Sequence, residues 1–296
     1  FVAETKQIIS PRVKCLTNCD YHSLMKFIER LFRLVATRNL FTILRNKVRT
    51  SNGKKHFLLP RPLDTEYGVT GVINSILNVL PKRENYLEVG IFKGATFQSV
   101  IADTKWGVDI DPAFDITKLP RNTTVFVKPS DNFFAELNSD KMFDMIYIDA
   151  EHTFAQAYRE LVHSVNHLNK WGVVLLDDTV PFDNVAAISD ESESKREAIR
   201  VHGSNKWSHQ GDVWKLIMQV NEFHKDLIVR TVLGPSRPRT IMWRSDLFGS
   251  EMRLASTDKL ASLTYESAFA SGIPNEFRVK ELSEIIVEIQ NRKLEG

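Results

Sequence analysis

From Tyr86 to Leu176, short runs rich in valine, isoleucine, leucine and aromatic residues alternate with longer segments that have helical spacing. The runs predict five strands: Tyr86–Val89, Trp106–Ile110, Thr124–Val127, Met145–Ile148 and Val173–Leu176. The intervening segments predict helices over Thr96–Ala102, Phe133–Leu137 and Ala155–Leu168. Because strands that alternate with helices pair in parallel, this part of the chain is expected to form a parallel sheet covered on both faces.

The pattern changes after the fifth strand. Asp212–Phe223 predicts another helix, and Leu227–Leu233 and Thr240–Trp243 predict two further strands. Only residues 234–239 separate these two strands, which is too short for a crossover helix, so the pair is expected to be antiparallel. The predicted fold class is therefore α/β, a Rossmann-like doubly wound, mostly parallel seven-stranded sheet with an antiparallel last strand.

The composition narrows the class of protein. With 43% of its 296 residues hydrophobic, the chain suits one large domain with an appendage, or two domains, and not a disordered protein. Lys and Arg number 39 against 37 Asp and Glu, so a net charge of +2 argues against nucleic-acid binding by the whole surface. No uncharged apolar run approaches the roughly 18 residues of a membrane-spanning helix. Two cysteines cannot build a disulfide framework, which favours a reducing, cytoplasmic location.

Residues 1–65 are expected to form a basic helical N-terminal extension. Between Tyr21 and Lys55 there are nine basic residues and a single acid, Glu29, and apolar residues recur at helical spacing. The favoured interpretation is a helix packed on the main domain with a solvated basic face. Contact with phosphates, an acidic partner or an anionic membrane surface is the alternative. Cys15 and Cys19 lack the further ligands of a zinc site, so no zinc is expected there.

Two more domain boundaries follow from these patterns. The α/β domain is expected to span 66–246, and 247–296 is expected to be a helical C-terminal extension. Its clearest element is an amphipathic helix near Val279–Leu294. Both extensions could cover a neighbouring subunit, so a homo-oligomer remains open.

The first strand leads directly into a turn with two glycines, Gly90 and Gly94, preceded by Glu88. Glycines at a strand-to-helix turn allow positive φ and let the backbone approach a ligand closely. The segment lacks the GxGxxG pattern of dinucleotide binders, and an acid at Glu88 suits a ligand that carries an ammonium group better than a pyrophosphate. A tight turn with a surface glutamate is the alternative.

The second strand ends at Asp109, which lies 109 − 88 = 21 residues after Glu88. A carboxylate at this strand end is placed to accept the hydroxyls of a ribose. Taken alone, Asp109 could equally be a helix N-cap, and Asp111 before Pro112 looks like a cap followed by a first-turn proline. The glycine turn and Asp109 together are more specific than either feature.

Acidic residues also follow the fourth and fifth strands: Asp149, with His152 three residues later, and the pair Asp177 and Asp178. The carboxyl ends of parallel strands meet at one edge of the sheet, so these carboxylates are expected to converge. Clustered carboxylates repel one another and need a counter-charge, and all-oxygen ligation suits Mg²⁺ (or Mn²⁺ or Ca²⁺) and not zinc. Turn and cap chemistry for the acids, and a solvated loop position for His152, are the alternatives.

These features together resemble the class I S-adenosylmethionine (SAM)-dependent methyltransferases over roughly Tyr86 to Trp243. The segment LEVGIFKG at 87–94 looks like the family's first motif, Asp109 stands where the ribose-binding acid is expected, and Ser130 and Asp131 resemble the segment that lines the adenine. The resemblance implies SAM as the cofactor, bound by Glu88, Gly90, Gly94, Thr96, Asp109, Ser130, Asp131 and Asp149.

Within that class, the segment from Ile148 to Thr153 and the pair Asp177 and Asp178 look like the metal-dependent O-methyltransferases of the macrolide-sugar type. The resemblance implies Mg²⁺ (or Mn²⁺) held by Asp149, Asp177 and Asp178, with His152 as the catalytic base. Catechol-type relatives carry a lysine near the base and an asparagine after the second acid, whereas this chain has His152 and Thr179, which makes a catechol substrate less expected.

The resulting hypothesis is an O-methyltransferase that acts on a hydroxyl of a small molecule or sugar in natural-product or glycan biosynthesis. Metal would lower the pKa of the acceptor hydroxyl, and His152 would remove its proton. Two alternatives stay open: a Rossmann oxidoreductase, and a methyltransferase-like module that binds or scaffolds without catalysis. Nucleic acid is not an expected partner, and membrane contact by the basic helix is not the favoured interpretation.

Overall fold

The computed structural model describes residues 68–204, 207–233, 237–245 and 250–292, together with the backbone of 47–51 and 54–58. The chain divides into two compact units, 1–45 and 46–296, and the described residues belong to the second. Most of the basic helix predicted between Tyr21 and Lys55, with Cys15 and Cys19, lies outside them. Where that segment is described, Lys47–Ser51 (β1) and Lys54–Leu58 (β2) form an antiparallel pair of strands instead of a helix.

A second, eight-stranded sheet organises the unit. Its strands are β3 (Asn85–Val89), β4 (Thr104–Asp109), β5 (Thr123–Val127), β6 (Phe143–Ile148), β7 (Leu168–Leu176), β8 (Leu227–Leu233), β9 (Pro238–Arg244) and β10 (Val279–Lys280). Their order is β10-β8-β9-β7-β6-β3-β4-β5, and β9 alone runs antiparallel to its neighbours, β7 and β8. The Rossmann-like fold class and the reversed strand are thus confirmed.

Helices cover both faces of this sheet. They are α1 (Val69–Val79), α2 (Ala95–Ser99), α3 (Ser130–Glu136), α4 (Phe154–Asn166), α5 (Glu191–His202), α6 (Lys215–Phe223), α7 (Tyr265–Ala268) and α8 (Leu282–Asn291). On one face α3, α4, α6 and α7 bury residues such as Phe133, Leu161 and Ile217. On the other, α1, α2 and α8 bury residues such as Ile73 and Ile285. None of the helices in the described ranges has both the length and the apolar composition needed to cross a bilayer.

The structure differs from the sequence prediction at several elements. An eighth strand, β10, joins the sheet parallel to β8, and the helix predicted from Val279 begins only after it, at Leu282. The helix predicted over Thr96–Ala102 ends at Ser99. The Lys105 side chain explains this early end, since its ammonium donates hydrogen bonds to the carbonyl oxygens of Phe97, Gln98 and Val100 and so replaces further helical bonds.

Candidate active site

Four neighbouring parallel strands, β7, β6, β3 and β4, end at the same edge of the sheet and bring the predicted site residues together. Backbone hydrogen bonds continue the ladder past the strand ends, from Gly90 N to the Val108 carbonyl and from Asp149 N to the Val89 carbonyl. The glycine turn, Asp109, Asp149 and the acids after β7 consequently surround one edge, as the sequence predicts.

The glycine turn between β3 and α2 depends on left-handed backbone at three positions. Gly90 has φ +87°, Phe92 has φ +39° and Gly94 has φ +71°. A Cβ atom on Gly90 would lie 2.0 Å from the carbonyl oxygen of Asp149, so only glycine allows this approach of the turn to β6. Gly94 precedes the first turn of α2, in which the predicted ligand Thr96 is half-buried.

Asp109, at the end of β4, holds this turn in place. One carboxylate oxygen accepts a hydrogen bond from Phe92 N at 2.7 Å, and the other accepts from Asp111 N at 2.8 Å. The side chain therefore orders the turn and also presents a carboxylate, with further lone pairs, at the position expected for a ribose-binding acid. The cap alternative considered for Asp109 is wrong, because the next helical turn, Ile116–Lys118, begins seven residues later and is capped by Asp115.

Glu88 is buried beneath the turn, with only 2% of its surface exposed. Its carboxyl group accepts a hydrogen bond from the Tyr86 hydroxyl at 2.5 Å. Burial raises the pKa of Glu88 to about 8, and the Tyr86 hydrogen bond only partly opposes this. The surface-glutamate alternative is therefore wrong, and Glu88 is a protonated or readily protonated acid inside the site.

The segment predicted to line an adenine is tied to α4. The Ser130 hydroxyl donates to a Glu160 carboxyl oxygen at 2.6 Å, and Asp131 forms an ion pair with Arg159 at 3.2 Å. Gln156 donates a hydrogen bond to Ser130 at 2.9 Å. These contacts hold the start of α3 against α4, close to the end of β4.

A cluster of three side chains lies at the ends of β6 and β7. The ligand atoms of Asp149, His152 and Asp178 all lie within 4.8 Å of one another. His152 Nε2 is 3.0 Å from an Asp178 carboxylate oxygen and 3.7 Å from one of Asp149. Burial alone would lower the pKa of His152, but hydrogen bonds to the two carboxylates outweigh it and raise the pKa to about 10.

Asp177 does not join this cluster, contrary to the predicted three-carboxylate metal site. One of its oxygens accepts from the Tyr147 hydroxyl at 2.6 Å and pairs with the Arg239 guanidinium at 3.2 Å. The other accepts from the backbone N of Asp178 at 2.9 Å. The Tyr147 hydroxyl also lies 3.0 Å from an Asp149 oxygen, so it stands between the two carboxylates. Both oxygens of Asp177 are thus engaged inside the protein, outside the cluster of Asp149, His152 and Asp178.

Asp178 also has a cationic partner. Arg237 donates a hydrogen bond to one of its carboxylate oxygens at 2.8 Å, while His152 meets the other. Burial works against the charge on Asp178, but the hydrogen bonds from His152 and Arg237 outweigh it and lower its pKa. Arg237 and Arg239 are not among the predicted site residues, because residues 234–239 are interpreted only as a link between strands. The alternation Arg-Pro-Arg at the start of a strand was the available signal, since such residues share one face.

The loop before α6 packs against His152. Gly211 has φ +63°, and a Cβ atom there would lie 1.6 Å from the His152 carbonyl oxygen. Asp212 accepts a hydrogen bond from Phe154 N at 2.7 Å, which caps the first turn of α4. The His209 ring lies 5.5 Å from the His152 ring. The loop therefore positions the base candidate, whereas His202, at the end of α5, pairs with Asp183 at 3.0 Å.

The described residues fit SAM but not the predicted Mg²⁺ set. An ammonium group suits the buried acid Glu88, and a ribose suits Asp109 beside the glycine turn. Mg²⁺ requires oxygen ligands in near-octahedral geometry, yet the cluster offers two carboxylates and one imidazole nitrogen. Both oxygens of Asp178 already meet cationic side chains, and Asp177 lies outside the cluster.

Comparisons with known proteins concern the same part of the chain. Residues 87–179 match the model of a family described as a methyltransferase domain. No protein of curated function has a significantly similar sequence.

Similar solved structures include the O-methyltransferase TomG of Streptomyces achromogenes, involved in tomaymycin synthesis and solved with SAM. It is 14% identical, the match covers 64% of this chain and 84% of that chain, and the TM-score is 0.40. An O-methyltransferase from Bacillus cereus in complex with SAH is 14% identical over 60% of this chain and 81% of that chain, with a TM-score of 0.38.

Proposed function

We propose that the sheet domain of this chain is a class I SAM-dependent methyltransferase domain and that it transfers a methyl group to a hydroxyl oxygen of a small molecule or sugar. The observation that carries the proposal is the juxtaposition of the glycine turn and Asp109 with the His152–Asp178 pair at one edge of the sheet. The first pair of features suits the cofactor, and the second suits removal of a proton from the acceptor.

Cofactor binding is assigned to the turn and its acids. Glu88 would meet the ammonium group, Asp109 the ribose hydroxyls, and the start of α3 at Ser130 and Asp131 the adenine. When bound, SAM supplies the methyl carbon, and its sulfur keeps the electron pair of the bond that breaks. The residues of the chain therefore only have to orient the acceptor, exclude water and accept a proton.

His152 is the residue proposed to accept that proton. Its Nε2 lies 3.0 Å from Asp178, which is itself held by Arg237, and Nδ1 would meet the acceptor hydroxyl. A carboxylate that holds one imidazole nitrogen while the other accepts a proton is the arrangement used in Ser-His-Asp triads. Because the pKa of His152 is raised to about 10, only a small fraction is unprotonated at neutral pH.

Titration of the full chain with SAM by calorimetry tests the proposal. We expect SAM to bind and Asp109→Ala to weaken binding by about 1.5–3 kcal/mol, since it removes hydrogen bonds to a charged acceptor. Transfer of labelled methyl from SAM to a panel of glycosides and small hydroxyl compounds then tests the reaction. Binding of NADH in place of SAM would favour the oxidoreductase, and SAM binding without transfer to any acceptor would favour the non-catalytic module.

A further inference from the structure

The acids that follow β7 meet two arginines from the start of β9. Asp177 and Asp178 are 6% and 1% exposed, so each would be costly to bury as an unpaired charge. Arg239 lies 3.2 Å from Asp177, and Arg237 lies 2.8 Å from Asp178. Arg237 directly precedes β9 and Arg239 is its second residue, and both side chains reach the acids.

We propose that Arg237 and Arg239 take the place of a divalent cation at this acid cluster, so that methyl transfer at the site needs no metal. The consequence for methyl transfer rests on the proposed function. Whether the arginines exclude a divalent cation from the acids can be measured by metal binding, independently of turnover. It concerns the same two acids, Asp177 and Asp178, to which the sequence resemblance assigned Mg²⁺.

The contacts support this exchange of roles. A guanidinium is permanently charged and more weakly hydrated than an ammonium, so it suits a buried carboxylate. Two guanidiniums and the His152 imidazole face the three carboxylates of Asp149, Asp177 and Asp178. A divalent ion that bound Asp178 would have to displace Arg237 or His152 from it, and the displaced group would then face that ion.

The contact with Arg237 also gives Asp178 a role in positioning the base. Asp178 is held from one side by Arg237 and holds His152 from the other, so it is a positioning residue for the base. Without a metal to lower the pKa of the acceptor hydroxyl, proton removal depends on His152. Arg237 accordingly acts through Asp178 and need not touch the acceptor.

Binding of Mn²⁺ to the full chain, measured by electron paramagnetic resonance, tests the inference. We expect the wild-type chain to bind no stoichiometric Mn²⁺, and its methyl transfer to be unchanged by EDTA. Arg237→Gln frees one oxygen of Asp178 and is expected to gain one Mn²⁺ per chain, which a further Asp178→Asn change removes. A far-UV circular dichroism spectrum and a cooperative thermal transition like those of the wild type serve as the test that Arg237→Gln is folded.

Arg244→Gln is the matched control, because Arg244 pairs with Asp226 at 2.9 Å at the opposite end of β9 and should not create a metal site. Stoichiometric Mn²⁺ on the wild type that Asp178→Asn abolishes would overturn the inference, as would a folded Arg237→Gln that binds none. If SAM does not bind the wild type, the proposed function fails, while the Mn²⁺ result still decides the role of the arginines. If Arg237→Gln does not fold, the wild-type measurement decides alone.

Discussion

At the scale of single residues, Glu88 couples proton and cofactor binding. Burial raises its pKa to about 8, so in the free protein it is mostly protonated at pH 7. An ammonium group beside it would favour the carboxylate, so SAM binding is expected to release a proton near pH 7 and none well above pH 8. Calorimetry of SAM binding in buffers of different ionisation enthalpy measures this release.

Glu88→Gln is the direct control, because it cannot ionise and should bind SAM without proton release. Glu160 has a pKa raised to about 7 by burial but bonds to Ser130 and Gln156, so Glu160→Gln should leave most of the release intact. Proton release that survives in Glu88→Gln would mean that another group meets the ammonium.

The raised pKa of His152 predicts the pH profile of the reaction. Its neutral form accepts the proton, so turnover should rise with pH towards about 10, the value to which Asp149 and Asp178 raise its pKa. His152→Gln should lower turnover by roughly 10²–10⁴ and remove that rise, with SAM affinity unchanged. Initial rates across a pH series check both effects.

His163 provides a comparison within the same protein, since it lies in α4 and stacks on Phe134. His163→Gln should keep the wild-type pH profile. A profile that levels off at about pH 6–8 in the wild type would indicate a base with an ordinary histidine pKa. Such a result would contradict the role given to the two carboxylates.

At the scale of elements, the loop before α6 is predicted to hold the base in place through Gly211. Gly211→Ala would place a Cβ atom 1.6 Å from the His152 carbonyl oxygen, so either the loop or the start of α4 must move. A displacement of about 1 Å at a reacting group can lower a rate by about 10²-fold. Turnover with saturating SAM, together with the melting temperature, measures the effect.

Gly203, at the end of α5, is the matched position because it has φ +66° and open space where a Cβ atom would lie. Gly203→Ala should therefore lower the free energy of unfolding only by the left-handed backbone strain, about 1–2 kcal/mol, and leave turnover unchanged. Equal losses of turnover in the two variants would show that backbone strain, and not the contact with His152, limits the loop.

The same elements show what the sequence could predict. Strands β3 to β9 follow from local apolar runs, and the site edge follows from the rule that parallel strands end together. The partner of Asp177 could not be predicted in this way, because Arg239 is 239 − 177 = 62 residues away and no local pattern joins them. The early end of α2 likewise depends on Lys105, a residue of the next strand.

At the scale of the whole molecule, residues 250–292 are packed on the sheet domain. The strand β10 extends the sheet beside β8, and Phe277 is fully buried on one face while Ile285 is fully buried on the other. The sequence predicts a helical extension here because the spacing of apolar residues in an amphipathic helix can be recognised without knowing what the helix packs on. What that helix packs on could not be derived, since α1 was not among the predicted helices.

This packing predicts a large difference between two neighbouring residues of α8. Ile285 is 0% exposed against the cluster that contains Val72 and Ile73, whereas Val287 is 52% exposed. Ile285→Ala should lower the free energy of unfolding by about 2–5 kcal/mol, through lost burial and the cavity that remains. Val287→Ala should change it by no more than about 0.5 kcal/mol, as surface substitutions do. Chemical denaturation monitored by tryptophan fluorescence measures both, because Trp243 lies in the same buried cluster as Ile285. Equal, small effects would mean that α8 is an appendage which the sheet domain does not need for its stability.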